Sequence, residues 1–311
     1  MINMICMAFV LDLFLGDPHF LYHPVRLMGR IIEIWHPLTE RARWKVLAGA
    51  LYPVSLIALC LVFMWAVRLL PSPVPETVTV YILYTSLATR SLADEVLKVL
   101  KVPNLNQRRR ALSMLCSRDT DALDERGILS TLFETTSENS VDGVLAPLFY
   151  MIVFAPLGFS AEAALIYKAV STCDSMVGYK NDRFVKIGRI SARLDDCLNF
   201  IPARVSVIVI LLAGALYRRS VHDLKNGIKI YLRDRTKHAS PNSAHPMSAF
   251  AGIFGVQICG PVPYFGKTVN KPYIGDALVP LNAKIVTDSV RVMILSAFLM
   301  LAAGIGIVIS L

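Results

Sequence analysis

Carboxylates, amides and basic side chains gather at four places in this chain. In residues 135–143, Thr-Thr-Ser-Glu-Asn-Ser-Val-Asp-Gly, Glu138, Asn139 and Asp142 stand at i, i+1 and i+4. On a helix, Glu138 and Asp142 would share a face. Two carboxylates and an amide are the hard oxygen ligands that Mg²⁺ takes while keeping waters and substrate phosphate oxygens. The same residues at a solvated helix start, capped by Thr136 or Ser137, would do no chemistry. Pro147 and an apolar run follow at once, so the carboxylates fall at or beside membrane depth, where charge is expensive and usually kept for function.

A second group runs from Lys168 to Arg204 and holds Asp174, Lys180, Arg183, Arg193, Asp195, Asp196 and Asn199. Asp174 follows an apolar stretch, with Lys180 and Arg183 at helical reach beyond it. Such alternation reads either as surface ion pairing, worth little, or as carboxylates that hold metal beside cations that hold phosphate. A third group, 15–29, contains Gly16-Asp-Pro, His19, His23 and Arg26. Its histidines are four apart, which would suit a metal on a helix, but Pro18 and Pro24 break any helix there, so a turn at the membrane surface is the main expectation. The fourth, 237–247, reads as a turn at Ser240-Pro-Asn242 flanked by His238 and His245, followed by Ala249, Ala251, Gly252 and Gly255 at the spacing of close helix contacts. No GxxxxGK[ST] loop and no GxSxG elbow occur. Six cysteines, none in a CxxC pair, predict neither a disulfide framework nor a zinc site.

The elements that must position these groups are apolar helices. The 311 residues are 55% hydrophobic and 18% charged, with mean hydropathy +0.53; an ordinary soluble domain is about 25% charged. Spans of about 20 apolar residues are predicted at 46–70 and 292–311, with shorter or interrupted ones at 2–15, 78–92, 144–170 (broken by Pro156 and Gly158) and 201–217. About five spans result, in one all-α, polytopic membrane domain over 1–311 with helical cytoplasmic loops and no sheet of any size. The net charge of +9 is scattered between apolar segments, which argues for cytoplasmic loops and against nucleic acid. Stretches 26–45, 90–126 and 218–237 are basic, whereas 71–77 has one Glu and no Lys or Arg and is placed outside.

At these groups the chain resembles the adenosylcobinamide-phosphate synthases of cobalamin biosynthesis, the CbiB/CobD family. The resemblance rests on Gly16-Asp-Pro with His23-Pro-Val-Arg26 and Gly29; Arg118-Asp-Thr120; Glu138-Asn139 with Asp142-Gly143 and Ala146-Pro-Leu-Phe-Tyr150; Tyr167-Lys-Ala169; Asp174-Ser-Met-Val-Gly-Tyr-Lys180; Ala192-Arg-Leu-Asp-Asp196; Asn199; Ile201-Pro-Ala-Arg204; and Ser240-Pro-Asn242. Any one is weak, but the ordered set covers residues 11 to about 275. There are departures. Ser117 replaces a common Gly, Ser171-Thr-Cys173 replaces Asn-Thr-Leu, and His245-Pro-Met247 replaces Trp-Pro-Glu, which removes a carboxylate at 247.

The resemblance implies a multi-pass protein of the cell membrane that joins the carboxylate of adenosylcobyric acid to the amine of aminopropanol phosphate or a related amino alcohol, with ATP as co-substrate and Mg²⁺. A carboxylate is a poor electrophile and is activated most simply as an acyl phosphate, with cations neutralising the transferring charge and a carboxylate base taking the ammonium proton. On this reading Glu138, Asp142, Asp174, Asp195 and Asp196 supply metal ligands and the base, with Mg²⁺ on Glu138, Asp142 and Asp174. His23, Arg118, Lys180, Arg193 and Arg204 hold phosphate or substrate, and Asn139, Ser240 and Asn242 orient it. The partners are the corrinoid, the amino-alcohol phosphate and the lipid bilayer; homo-oligomerisation is left open. Two rivals are an intramembrane metal-dependent prenyl or alcohol-phosphate transferase, for which Glu138-Asn-Ser-Val-Asp142 is a faint match, and a non-catalytic sensor related to the β-lactamase-regulatory membrane protein.

Overall fold

The computed structural model describes residues 1–18, 20–116, 118–179, 181–264 and 267–310, with the side chains of 262–264 and 267–269 left aside. The described residues are mostly helical. By internal packing it divides into two compact units, Met1–Ala88 with Pro147–Asn199 and Leu301–Leu311, and Thr89–Ala146 with Phe200–Met300. Each unit is assembled from separate stretches, so no linker marks the division, and composition alone gives one domain.

In the first unit, α1 (Ile2–Leu15) is apolar except for Asn3 and the buried Asp12, and stops where Gly16 takes φ 63° before Asp17-Pro18. After it comes α2 (Pro24–Arg41), with Pro24 in its first turn and His23 as its cap, where Nδ1 accepts from Val25 N–H at 3.2 Å. The short α3 (Lys45–Gly49) leads into α4 (Leu51–Arg68), and α5 (Val74–Thr85) returns. Between α9 (Ala146–Val153) and α10 (Ser160–Val177) the chain turns through Pro156 and Gly158, the break expected from those residues. α10 packs on α2, α4 and α5, and α1 on α5. Gly49 is required by close approach, because a Cβ there would lie 1.9 Å from the Ile187 carbonyl oxygen.

The second unit holds α6 (Thr89–Lys101), α7 (Leu105–Ser113), α8 (Glu125–Ser140), a π-helical turn (Val141–Leu145), α12 (Val221–Asp234) and α13 (Ala244–Phe254). α11 (Arg189–Arg218) and α14 (Ala283–Ser310) complete the helices. Antiparallel two-stranded ladders pair β1 (Ile258–Cys259) with β4 (Tyr273–Ile274) and β2 (Val262–Tyr264) with β3 (Lys267–Val269). Phe133 of α8 meets Phe250 and Phe254 of α13 edge-on, with centroids 6.2 and 5.8 Å apart.

α12 and α13 nearly touch backbone to backbone. A Cβ on Gly252 would lie 2.7 Å from Gly227 Cα, and Asn226 Nδ2 donates to Gly252 O at 2.6 Å. The C-terminus of α12 is tied by Asp234, which is fully buried and accepts from Arg233, Lys237 and the Gly275 N–H. Burial alone would raise its pKa, but these donors outweigh it and hold the carboxyl at about 2.

Against about five expected spans, three helices among the described residues are long and apolar enough to cross a membrane: Lys45–Arg68, Arg189–Arg218 and Ala283–Ser310. Ile2–Leu15 is apolar but short. The expected span at 78–92 is interrupted, since α5 ends at Thr85 and α6 begins at Thr89. The long apolar helices fit a membrane protein.

The Gly227–Gly252 approach predicts that Gly252→Val drives α12 and α13 apart and costs about 1–3 kcal/mol. Gly306→Ala, whose Cβ would meet nothing within 4 Å, should leave stability unchanged or slightly raised. Melting temperatures in detergent test this; equal values for both variants would contradict it.

Candidate active site

The α8 acids occupy different environments. Glu134, in the apolar run before the predicted metal residues, is buried and accepts from Arg118 Nη2 at 2.6 Å, Ser130 Oγ at 2.8 Å and Cys259 N–H at 3.1 Å. Arg118 also donates to Thr131 Oγ1 at 3.0 Å. Its guanidinium, expected to hold phosphate, is thus a nearly buried partner of Glu134. Sequence reading passed over Glu134, although an acid directly after Leu132-Phe133 was a signal.

One turn further on, Glu138 is half-buried. Its Oε1 accepts from Ser243 Oγ at 2.7 Å, and its Oε2 has no hydrogen bond among the described residues. Asn139 beside it is half-buried and makes none either. Asp142, also half-buried, follows in the π-turn, a distortion of α-helices frequent at functional sites.

Ser243 belongs to the turn predicted at Ser240-Pro-Asn242. Ser240 N–H donates to His238 Nδ1 at 3.1 Å, and Asn242 N–H to Ser240 Oγ at 3.2 Å. Arg204 Nη1 donates to Asn242 Oδ1 at 3.3 Å and to Phe200 O at 2.6 Å, with the guanidinium carbon 3.5 Å above the Phe200 ring. Glu138, Ser240, Asn242 and Arg204 are therefore joined through Ser243 into one polar patch. His245, on the first turn of α13, is buried with Nδ1 3.2 Å from Tyr231 OH. Burial, then the nearby Arg204 and Arg235, hold its pKa down at about 4. Met247, in the stretch that departs from the resembled pattern, is buried in α13.

The other unit carries a second patch. Asn199 is buried, with Nδ2 donating to Asp195 Oδ2 at 3.0 Å and Oδ1 accepting from Tyr167 OH at 2.9 Å. Tyr167 stacks on Tyr150, with centroids 5.4 Å apart. Asp174, Asp196 and Lys168 lie within electrostatic reach of Asp195. The motif glycine has a steric reason: a Cβ on Gly178 would lie 1.9 Å from Asp174 Oδ1, so only glycine lets this carboxylate fold over the end of α10.

Arg193 is exposed and has no ion pair among the described residues, and Lys180 lies outside the described residues, as do His19 and Ser117. Arg183 departs from its expected place near Asp174. α10 ends at Val177, and Arg183 Nε donates to Glu40 Oε1 at 2.6 Å.

His23, the cap of α2, has Nε2 3.8 Å from Asp17, with Arg26 3.9 Å from the same carboxylate. Burial lowers its pKa, the nearby Asp17 raises it, and Lys168 and Arg26 lower it again, with the net shift downward. With Nδ1 committed to the cap, this histidine is better placed to donate than to bind metal. No group of three or more His, Cys, Asp or Glu side chains arranged for a metal occurs among the described residues. A Mg²⁺ ion arriving on phosphate would need only one or two protein carboxylates, and Glu138 or Asp142 could supply these.

Fold and site define a helical protein suited to a membrane, with hydrogen-bonded carboxylates and arginines beside its apolar helices. The CobD/Cbib protein family model matches residues 5–293. A protein named cobalamin biosynthesis protein CobD from Desulfotalea psychrophila is 36% identical over 314 residues, 95% of this chain and 94% of that protein. One of the same name from Klebsiella pneumoniae is 38% identical over 313 residues, 97% and 96% of the two chains. The cobalamin biosynthesis protein CbiB of Salmonella typhimurium is 38% identical over 317 residues, 96% and 94% of the two. No solved structure matches. The chain belongs to the CobD/CbiB family, and its role is in cobalamin biosynthesis.

Because His245 has a folded pKa of about 4 against an ordinary 6.5, the unfolded chain binds more protons between those values. Stability should therefore fall as pH drops from about 6.5 to about 4 and level off below. His23 and His36, also lowered, act in the same direction, whereas Asp234 at about 2 loses its contribution only at more acid pH. Melting temperature against pH in detergent should slope less steeply for His245→Gln than for the wild type; identical slopes would contradict it.

Proposed function

We propose that this chain is an adenosylcobinamide-phosphate synthase of the cell membrane. It joins the carboxylate of adenosylcobyric acid to the amine of an amino-alcohol phosphate, with ATP and Mg²⁺. Family membership supports the pathway. The observation that carries the chemistry is the hydrogen-bonded patch of Glu138, Ser243, Asn242 and Arg204 next to the π-turn of Asp142.

An acid becomes an amide only after its oxygen has been made a leaving group, and phosphorylation by ATP does this. Mg²⁺, held by Asp142 and the substrate phosphate oxygens, would screen the phosphate charge. Arg204, fixed by Phe200 and Asn242, presents a guanidinium to phosphate oxygens. Ser240 and Asn242 orient the substrate, and Asn139, which has no hydrogen bond among the described residues, keeps its amide for the same purpose. The attacking amine must first lose a proton, and a carboxylate with a free oxygen is a suitable acceptor. Glu138 meets that condition through Oε2. By the family resemblance alone, Asp174, Asp195 and Asp196 are further candidate carboxylates, and His23, Lys180 and Arg193 further candidates for holding substrate or phosphate.

Product formation from adenosylcobyric acid, an amino-alcohol phosphate, ATP and Mg²⁺ tests this reading in detergent. Asp142→Asn and Asp174→Asn should each lower turnover by about 10²-fold or more, and the wild-type chain should rescue a corrinoid-requiring strain that lacks this step and is fed cobyric acid. Near-normal turnover in both variants would remove these carboxylates from the mechanism, and failed rescue by a well-expressed chain would refute the function.

A further inference from the structure

Arg68 is the last residue of the apolar segment Lys45–Arg68, which places it at the depth of lipid headgroups if that segment spans. Its Nε and Nη2 both donate to Glu162 Oε1, at 2.8 and 2.5 Å, and Nη2 also reaches Gly158 O at 2.8 Å. Its carbon sits 4.6 Å over the Phe159 ring. No hydrogen bond among the described residues uses Arg68 Nη1.

Glu162 is the complement. Its side chain is 10% exposed, and Oε2 is buried with no hydrogen-bond partner, an arrangement costly to keep. The pair borders a cavity of about 550 Å³ lined by Trp65, Tyr150, Phe154, Phe159 and Ile166. Trp65 is 64% exposed, as an aromatic anchor at a membrane interface is. A donor on the cation, an acceptor on the anion, aromatic rings and an apolar groove are thus presented by one wall of the first unit. Of the cavity's lining, only Tyr150 and Tyr167 also belong to a patch described above, where they stack beside Asn199.

We propose that this cavity binds a phospholipid whose headgroup carries a primary ammonium, with the ammonium donating to Glu162 Oε2, the phosphate accepting from Arg68 Nη1, and an acyl chain in the groove. Charge complementarity selects it. A headgroup without a cation offers Glu162 Oε2 at most a neutral hydroxyl, a weaker donor than an ammonium, and a trimethylated one has no N–H to donate. Soluble amino-alcohol phosphates share the headgroup chemistry, but the almost wholly apolar lining and the helix-end position favour a lipid.

Native mass spectrometry of the full chain after reconstitution with equal phosphatidylethanolamine, phosphatidylcholine and phosphatidylglycerol tests this. The ethanolamine lipid should be retained about tenfold over each of the others, the worth of one charge-assisted hydrogen bond. Glu162→Gln should abolish that preference. Ala163→Phe, which fills the cavity wall and leaves the ion pair intact, should reduce retention of all three lipids at this site. Equal retention by the wild-type chain would overturn the proposal, even if Glu162→Gln failed to fold. Unchanged retention in Ala163→Phe, or displacement of the lipid by soluble O-phosphoethanolamine, would overturn it too.

Discussion

A carboxylate among apolar helices is tolerated only when its oxygens meet donors or a ligand, and α8 depends on how that constraint is met at two positions one turn apart. At Glu134 it is met inside the fold, by Arg118, Ser130 and the backbone of Cys259. These bonds tie α8 to the segment before it and to β1, and an apolar or neutral residue there would remove the carboxylate that balances the charge of the nearly buried Arg118. At Glu138 it is met by half: Ser243 secures Oε1, and Oε2 remains available. The first arrangement stabilises the fold. The second holds a carboxylate in place while leaving it something to do.

The same logic recurs in the other unit. Asp195 takes a hydrogen bond from Asn199, and Asn199 is itself fixed by Tyr167, so two residues on two helices set one carboxylate. Asp174 is accommodated by the missing side chain of Gly178. In both units the acid is supplied by one helix, and its orientation by a neighbouring group.

How much of this was legible in the sequence follows from the range of each interaction. Local signals read well. The helix end at Gly16-Asp-Pro, the break at Pro156 and Gly158, the turn at Ser240-Pro-Asn242 and the apolar span ending near Arg68 all depend on residues close in sequence. The gathering of Ser240, Asn242 and Arg204 was anticipated only in outline, as separate members of a family pattern. Glu134, Ser243 and Asp234 were missed. Their meaning comes from partners such as Cys259, Glu138 and Gly275, 41 to 125 residues away, which no spacing rule brings together. Charge patterning could not separate spanning from half-length helices either, because the stops at Thr85 and Val153 fall inside apolar runs.

The most direct measurement compares turnover and melting temperature for Glu138→Gln and Glu134→Gln in the amide-forming assay. If Glu138 is the working carboxylate, its amide variant should lose about 10²-fold or more in turnover with its melting temperature nearly unchanged, while Glu134→Gln should lose stability first. Near-normal turnover by a folded Glu138→Gln protein would contradict the account.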